Sequence, residues 1–141
     1  MKQNVVLSIL GRQTYLGQEP DQIELVTEGV LEDVGGSWVL SYEESDLTGM
    51  SGVTTTFIIE PDKVTLKRSG KLSSQMVFQE GVTHDSLYQM EFGTMLISVC
   101  ATRVMADICH DGGMIDLVYS IELEQTEAGT IDYHLEIRPK L

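Results

Sequence analysis

Two arginines, Arg68 and Arg103, fall in the same alternation phase as the Val, Leu, Ile and Met residues around them. Thr27, Tyr42, Glu44, Thr55, Tyr119 and Tyr133 share that phase. If this phase faces the inside of the folded chain, these are the groups able to do chemistry there. An unpartnered guanidinium in an apolar interior is costly, so each Arg needs a carboxylate, water at a mouth, or an anionic ligand. An Arg beside tyrosine hydroxyls is a common way to hold a carboxylate or phosphate head in an apolar cavity. The candidate ligand-binding set is therefore Arg68 and Arg103 for the anionic end, assisted by Tyr42 and Tyr119, with Glu44 and Thr55 beside them. The competing reading uses the same residues: Glu44 pairs with Arg68, the hydroxyls of Tyr42 and Thr55 complete a satisfied network, and the result fixes strand register only.

Other chemistry is poorly served. Glu43 and Glu44 are adjacent on a strand and leave by opposite faces, so they cannot act as an acid/base pair on one substrate. In His84-Asp85-Ser86 the Asp opposes the other two, which breaks the hydrogen-bond chain that a triad needs. Gly49-Met50-Ser51-Gly52 is one residue short of a nucleophile elbow and precedes a strand where that motif requires a helix. Cys109-His110-Asp111 groups three ligand types in one turn with no second cluster at metal-site spacing. His134 falls among outward residues, which removes it as an interior haem ligand. No phosphate loop occurs. No catalytic residue, cofactor or metal site is expected from these patterns.

The elements that must position these side chains are strands. Val5, Leu7 and Ile9 alternate with polar neighbours, as do Ile23 and Leu25, and Ile131, Tyr133, Leu135 and Ile137. The pattern predicts ten strands, over 3–12, 21–32, 37–45, 52–60, 63–69, 74–80, 84–90, 94–107, 113–125 and 130–138. Turn chemistry separates them: Gln18-Glu19-Pro20-Asp21, Gly35-Gly36, Glu60-Pro61-Asp62-Lys63, Ser69-Gly70-Lys71, Asp111-Gly112-Gly113 and Ala128-Gly129. Short turns make a meander, and a meander of this length hides its edges by closing. The expectation is all-β: one antiparallel up-and-down barrel of about 8–10 strands occupying residues 1–141 as a single domain. The apolar phase selects Trp38, Leu40, Phe57, Ile59, Leu66, Val77, Ile97, Val99, Leu117, Ile121 and Leu135 as core; at Met76-Val77-Phe78 both faces are apolar. A single β-bulge would invert every assignment beyond it.

Tyr42-Glu43-Glu44, Thr48-Gly49-Met50, Gly52 and Thr54-Thr55-Thr56, followed in order by Lys67-Arg68-Ser69-Gly70, Met76-Val77-Phe78 and Gly81, resemble the YwiB-like family of bacterial proteins over nearly the whole chain. The resemblance implies a calycin-type barrel, akin to lipocalins and fatty-acid-binding proteins, and a bacterial cytoplasmic origin. It implies no established activity. Where the family pattern has Tyr-x-Thr-Pro-aromatic-Gly, this chain has Tyr88-Gln89-Met90-Glu91-Phe92-Gly93 and keeps only the Tyr, the aromatic and the Gly.

Nine basic against 22 acidic side chains give a formal charge of -13, which opposes counterion-release binding to nucleic acid and attraction to anionic lipid. Neither partner is expected. No secretory leader pattern opens the chain and no apolar run nears the ~20 residues of a membrane-spanning helix, so a cytoplasmic monomer or homodimer is expected, with Cys100 and Cys109 as plain thiols. Two function classes remain: a barrel that binds a small amphipathic or anionic molecule inside, and a filled structural or interaction module. Interior volume discriminates them.

Overall fold

Strict alternation of apolar and polar residues over long stretches leaves the backbone no helical face to bury, and the described residues form strands joined by turns. The computed structural model describes residues 2–15, 21–44, 51–71, 73–90, 93–124 and 126–140. The Gln18-Glu19-Pro20 turn, Thr48-Gly49-Met50, Glu91-Phe92 and the strand ends drawn at 45 and 125 lie outside the described residues. Among the described residues ten strands follow one another: β1 (Lys2–Tyr15), β2 (Asp21–Val34), β3 (Ser37–Glu43), β4 (Val53–Ile59), β5 (Val64–Gly70), β6 (Ser74–Phe78), β7 (Thr83–Met90), β8 (Gly93–Cys109), β9 (Gly112–Leu123) and β10 (Thr126–Pro139). All ten expected strands are present, with ends moved by a few residues. Among the described residues no helix is long and apolar enough to cross a membrane.

The strands form one antiparallel sheet in the order β6-β5-β4-β3-β2-β1-β10-β9-β8-β7. The first and last strands are neighbours in it: Val5 to Tyr15 pair with Pro139 to Gly129. The free edges are thereby moved to β6 and β7, where the meander meets itself. That seam is partly stitched. Ser73 and Gln89 exchange backbone hydrogen bonds of 3.0 and 2.8 Å, and the Ser86 hydroxyl donates to the Gln75 carbonyl. At the far end of the seam the Gly81 N–H donates to the Ala101 carbonyl at 3.0 Å. The result is a nearly closed up-and-down barrel.

Turn chemistry sets the hairpins. Gly35 and Gly36, both at positive φ (54° and 100°), make the two-residue β2–β3 turn that matches strand twist. Gly112 serves a different need. A Cβ there would strike the Ile137 carbonyl of β10, so the close passage of β9 beneath the end of β10 requires a glycine.

One irregularity changes the inward assignments. Ala101 pairs with Tyr119, but Arg103 pairs with Val118, leaving Thr102 as an extra residue in β8. Before this bulge Ile97, Val99 and Ala101 face the core; after it Val104 and Ile108 do. The Glu80 carboxylate accepts the Val104 N–H at 2.9 Å, so the β6–β7 turn satisfies a backbone donor at the bulge.

Leu7, Leu40, Phe57, Ile115, Leu117 and Leu135 are essentially inaccessible to water and centre the core. Of the expected core residues, Leu40, Phe57, Ile59, Leu66, Ile97, Val99, Leu117 and Leu135 are buried, while Trp38 and Ile121 pack on its margin. Val77 is corrected. In β6 the burial alternates with Ser74, Met76 and Phe78 inward and Val77 half-buried on the other face.

Candidate functional site

Register places four inward polar residues in one row across adjacent strands. Tyr42 of β3 pairs with Thr55 of β4, Thr55 with Arg68 of β5, and Arg68 with Ser74 of β6. Each continues an apolar phase: Leu40 before Tyr42, Phe57 after Thr55, Leu66 before Arg68, Met76 after Ser74. The row therefore caps the apolar core toward the end of the barrel that carries the β1–β2, β3–β4 and β5–β6 connections. Glu44, two residues beyond Tyr42, keeps the same face and is buried, while Glu43 is exposed and accepts from Thr54 at 2.9 Å. That is the opposite-face arrangement expected of adjacent strand residues.

A cavity of about 200 Å³ adjoins the row. Its walls come from β1, β2, β5, β9 and β10 as well as β3, with Ile9, Leu25, Leu66, Leu117 and Ile131 as apolar lining and Tyr42, Glu44, Arg68, Tyr119 and Tyr133 as polar lining. The β1 strand contributes space at Gly11, where an added Cβ would sit 3.9 Å from the Tyr133 ring. The rings are fixed from behind: Tyr119 packs on Phe78 with centroids 4.5 Å apart, and Tyr133 on Phe57 at 5.9 Å.

The hydrogen bonds divide the polar groups unequally. The Thr55 hydroxyl donates to Glu44 Oε2 at 2.5 Å, and the Tyr42 hydroxyl interacts with that carboxylate. Burial first, then the Glu44 charge, pushes the Tyr42 hydroxyl up to about 12, with Arg68 pulling the other way. Burial and Tyr42 raise the Tyr133 hydroxyl well above its usual range. That hydroxyl interacts with Tyr42; among the described residues neither it nor the buried atoms Arg68 Nε and Ser74 Oγ has a hydrogen bond of standard geometry. Among the described residues no carboxylate forms an ion pair with Arg68.

Arg103 does not join this group. The Thr102 bulge turns it to the outer face, where 52% of its side chain is exposed and its Nη2 lies 3.2 Å from Asp116 Oδ2. Its partner is a surface carboxylate. The expected interior set thus reduces to Arg68, Tyr42, Glu44, Thr55 and Tyr119, and an interior with two guanidinia and one acid becomes one of each. Tyr133, Ser74 and Gly11 complete the surroundings. Gly11 carried a readable signal, since a glycine between Ile9 and Gln13 in the inward phase leaves space; Ser74 carried none.

The set-aside clusters stay apart. His84 meets Gln79 at 3.1 Å, His110 packs edge-on against Trp38 at 5.2 Å, and His134 lies 3.2 Å from Glu136. Among the described residues no group of three metal-ligating side chains converges. Cys100 and Cys109 are both unpaired.

The tyrosines make a pH prediction. Below pH 10 Tyr42 is protonated in folded and unfolded chains alike, and its contribution to stability is fully present. Between 10 and about 12 the unfolded chain has lost that proton while the folded one keeps it, so stability falls as pH rises through this window. The loss assignable to Tyr42 is on the order of 3 kcal/mol. Urea unfolding at several pH values from about 9 to about 12 should show a steeper decline for wild type than for Tyr42→Phe. Equal slopes would contradict the burial of this hydroxyl.

A protein-family model described as Domain of unknown function (DUF1934) matches residues 7–137. The chain belongs to that family. The crystal structure of the ywiB protein from Bacillus subtilis is similar to this DUF1934 chain with a TM-score of 0.86, covering 99% of this chain and 94% of that one at 18% sequence identity. At that identity the likeness speaks for the barrel fold, and the expected YwiB-like kinship is borne out. Comparison with curated proteins finds no significant match.

Proposed function

We propose that this DUF1934 barrel binds a small molecule with a carboxylate-like head and a compact apolar body, the head on Arg68 and the body against Leu25, Leu66, Leu117 and Ile131. The observation that carries the reading is a guanidinium facing a cavity and lacking a carboxylate partner among the described residues. Buried charge is retained at a cost unless something pairs it. Tyr42 and Tyr119 flank the head, and the Glu44–Thr55 contact fixes the wall beside it. At about 200 Å³ the cavity is smaller than the roughly 300–1,000 Å³ of drug-sized sites. A long-chain fatty acid is disfavoured and a short amphipathic acid is favoured.

The formal charge of -13 argues against nucleic acid and anionic membranes as partners, and two unpaired thiols suit a reducing cytoplasm. Native mass spectrometry of the protein purified from its own cells tests the reading. A reproducible added mass of a small organic acid, released on denaturation, is expected. Protein that stays ligand-free there, and gains no such mass when small carboxylates are added, would favour a filled structural barrel instead.

A further inference from the structure

We infer that a second anion site lies at the β6–β7 seam and holds a phosphate group through Lys67, Arg68 and Ser74. A groove of about 350 Å³ runs there beside the Ser73–Gln89 pair, a volume within the range of small-molecule sites. It stands apart from the interior-site reading, because Lys67 and Ser74 line the groove and do not line the interior cavity. The charged residues of its wall are Lys67 and Arg68, with no acidic residue beside them. In a chain whose acids outnumber its bases 22 to 9, a groove walled by cations alone is a local reversal of sign that attracts and concentrates anions. Among the described residues neither cation forms an ion pair with a carboxylate.

A second observation points to a ligand at the same place. Arg68 Nε and Ser74 Oγ are buried donors without a hydrogen-bond partner among the described residues, and Ser74 as a whole is only 8% exposed. The two residues are direct cross-strand partners, so one oxyanion can accept from both. Buried donors without acceptors are costly, and two side by side call for a shared one. The placement of the donors then selects the anion. Because β6 is an edge of the sheet, the groove is lined by both strand phases: Lys67 is on the exposed phase of β5, Arg68 and Ser74 on the inner phase. Ser69 and Ser73, both exposed, add hydroxyls at the rim. A carboxylate presents two oxygens in one plane, whereas a phosphate monoester presents three acceptor oxygens and nearly two charges at pH 7, which suits donors arriving from two sides. Leu87, 55% exposed in the same wall, offers an apolar surface to the rest of an ester.

The test is an NMR titration of the whole protein with inorganic phosphate and with phenyl phosphate, against sodium chloride at matched ionic strength. Saturable shifts are expected at the backbone amides of Lys67, Ser69, Ser73 and Ser74 with both phosphates and not with chloride. Tighter binding of phenyl phosphate, with shifts at the Leu87 methyls, would support the site and assign it to an ester; equal affinity would support it and assign free phosphate. Lys67→Gln, an exposed change that leaves the interior wall intact, should weaken phosphate binding at least about tenfold, the value of one charge-assisted contact. Ser74→Ala should weaken it in the same direction. Phosphate shifts that fail to saturate or match those of chloride would overturn the inference, as would unchanged affinity in folded Lys67→Gln. Saturable shifts confined to the Leu117 and Ile131 methyls would also overturn it, since those residues report the interior cavity, and would leave the interior reading standing.

Discussion

Replacing Phe57 by alanine is expected to destabilise the barrel by about 3–5 kcal/mol, the range for truncating a buried aromatic in a core that cannot fully collapse. Phe57 is wholly buried, pairs with Leu40 on one side and Leu66 on the other, and supports Tyr133 from behind. Neighbouring strands fixed by ladders on both sides cannot close the void. Val77→Ala is the internal control. It lies half-buried on the opposite phase of β6, and its loss should stay below about 1 kcal/mol. Urea unfolding of both variants at neutral pH checks the pair. A Phe57→Ala loss under 1 kcal/mol, or an equal loss at Val77, would mean that the inward phase is misassigned.

The Val77 comparison marks where the sequence stops being legible. Alternation is unambiguous where one face is polar, as in β4, where Val53, Thr55, Phe57 and Ile59 are all buried. In Met76-Val77-Phe78 both faces are apolar, so the period carries no phase. Arg103 fails for another reason. Its local pattern is that of an inward residue, but the extra residue at Thr102 is defined only by pairing with β9, a partner whose register no local window contains. The site itself divides the same way. Tyr42, Glu44, Thr55 and Arg68 are each visible as polar residues in an apolar phase, whereas the alignment of Tyr42, Thr55 and Arg68 into one row with Ser74 is a property of register between strands. Gly11 opens space opposite Tyr133 through the β1–β10 pairing that joins the two ends of the chain.

The second large effect concerns Arg68. Removing its charge should weaken ligand binding by about 10- to 100-fold, corresponding to the roughly 1.5–3 kcal/mol of a hydrogen bond to a charged group. Its effect on folding should differ in sign from that of a structural residue. A half-buried guanidinium without a carboxylate partner among the described residues contributes little to stability, and an apolar side chain of similar length can match or exceed it. Arg68→Met is therefore expected to be as stable as wild type or more stable, while binding poorly. A residue retained for packing or register would show the opposite combination.

The most direct measurement is a methyl-detected NMR titration of wild type and Arg68→Met with 4-methylpentanoate. In wild type, saturable shifts are expected at the methyls of Leu25, Leu66, Leu117 and Ile131, which line the cavity, and the folded variant should need at least about ten times more ligand to reach them. Shifts confined to outer-face methyls such as Val26 and Val34, or the same titration curve for wild type and Arg68→Met, would contradict an interior site anchored by Arg68.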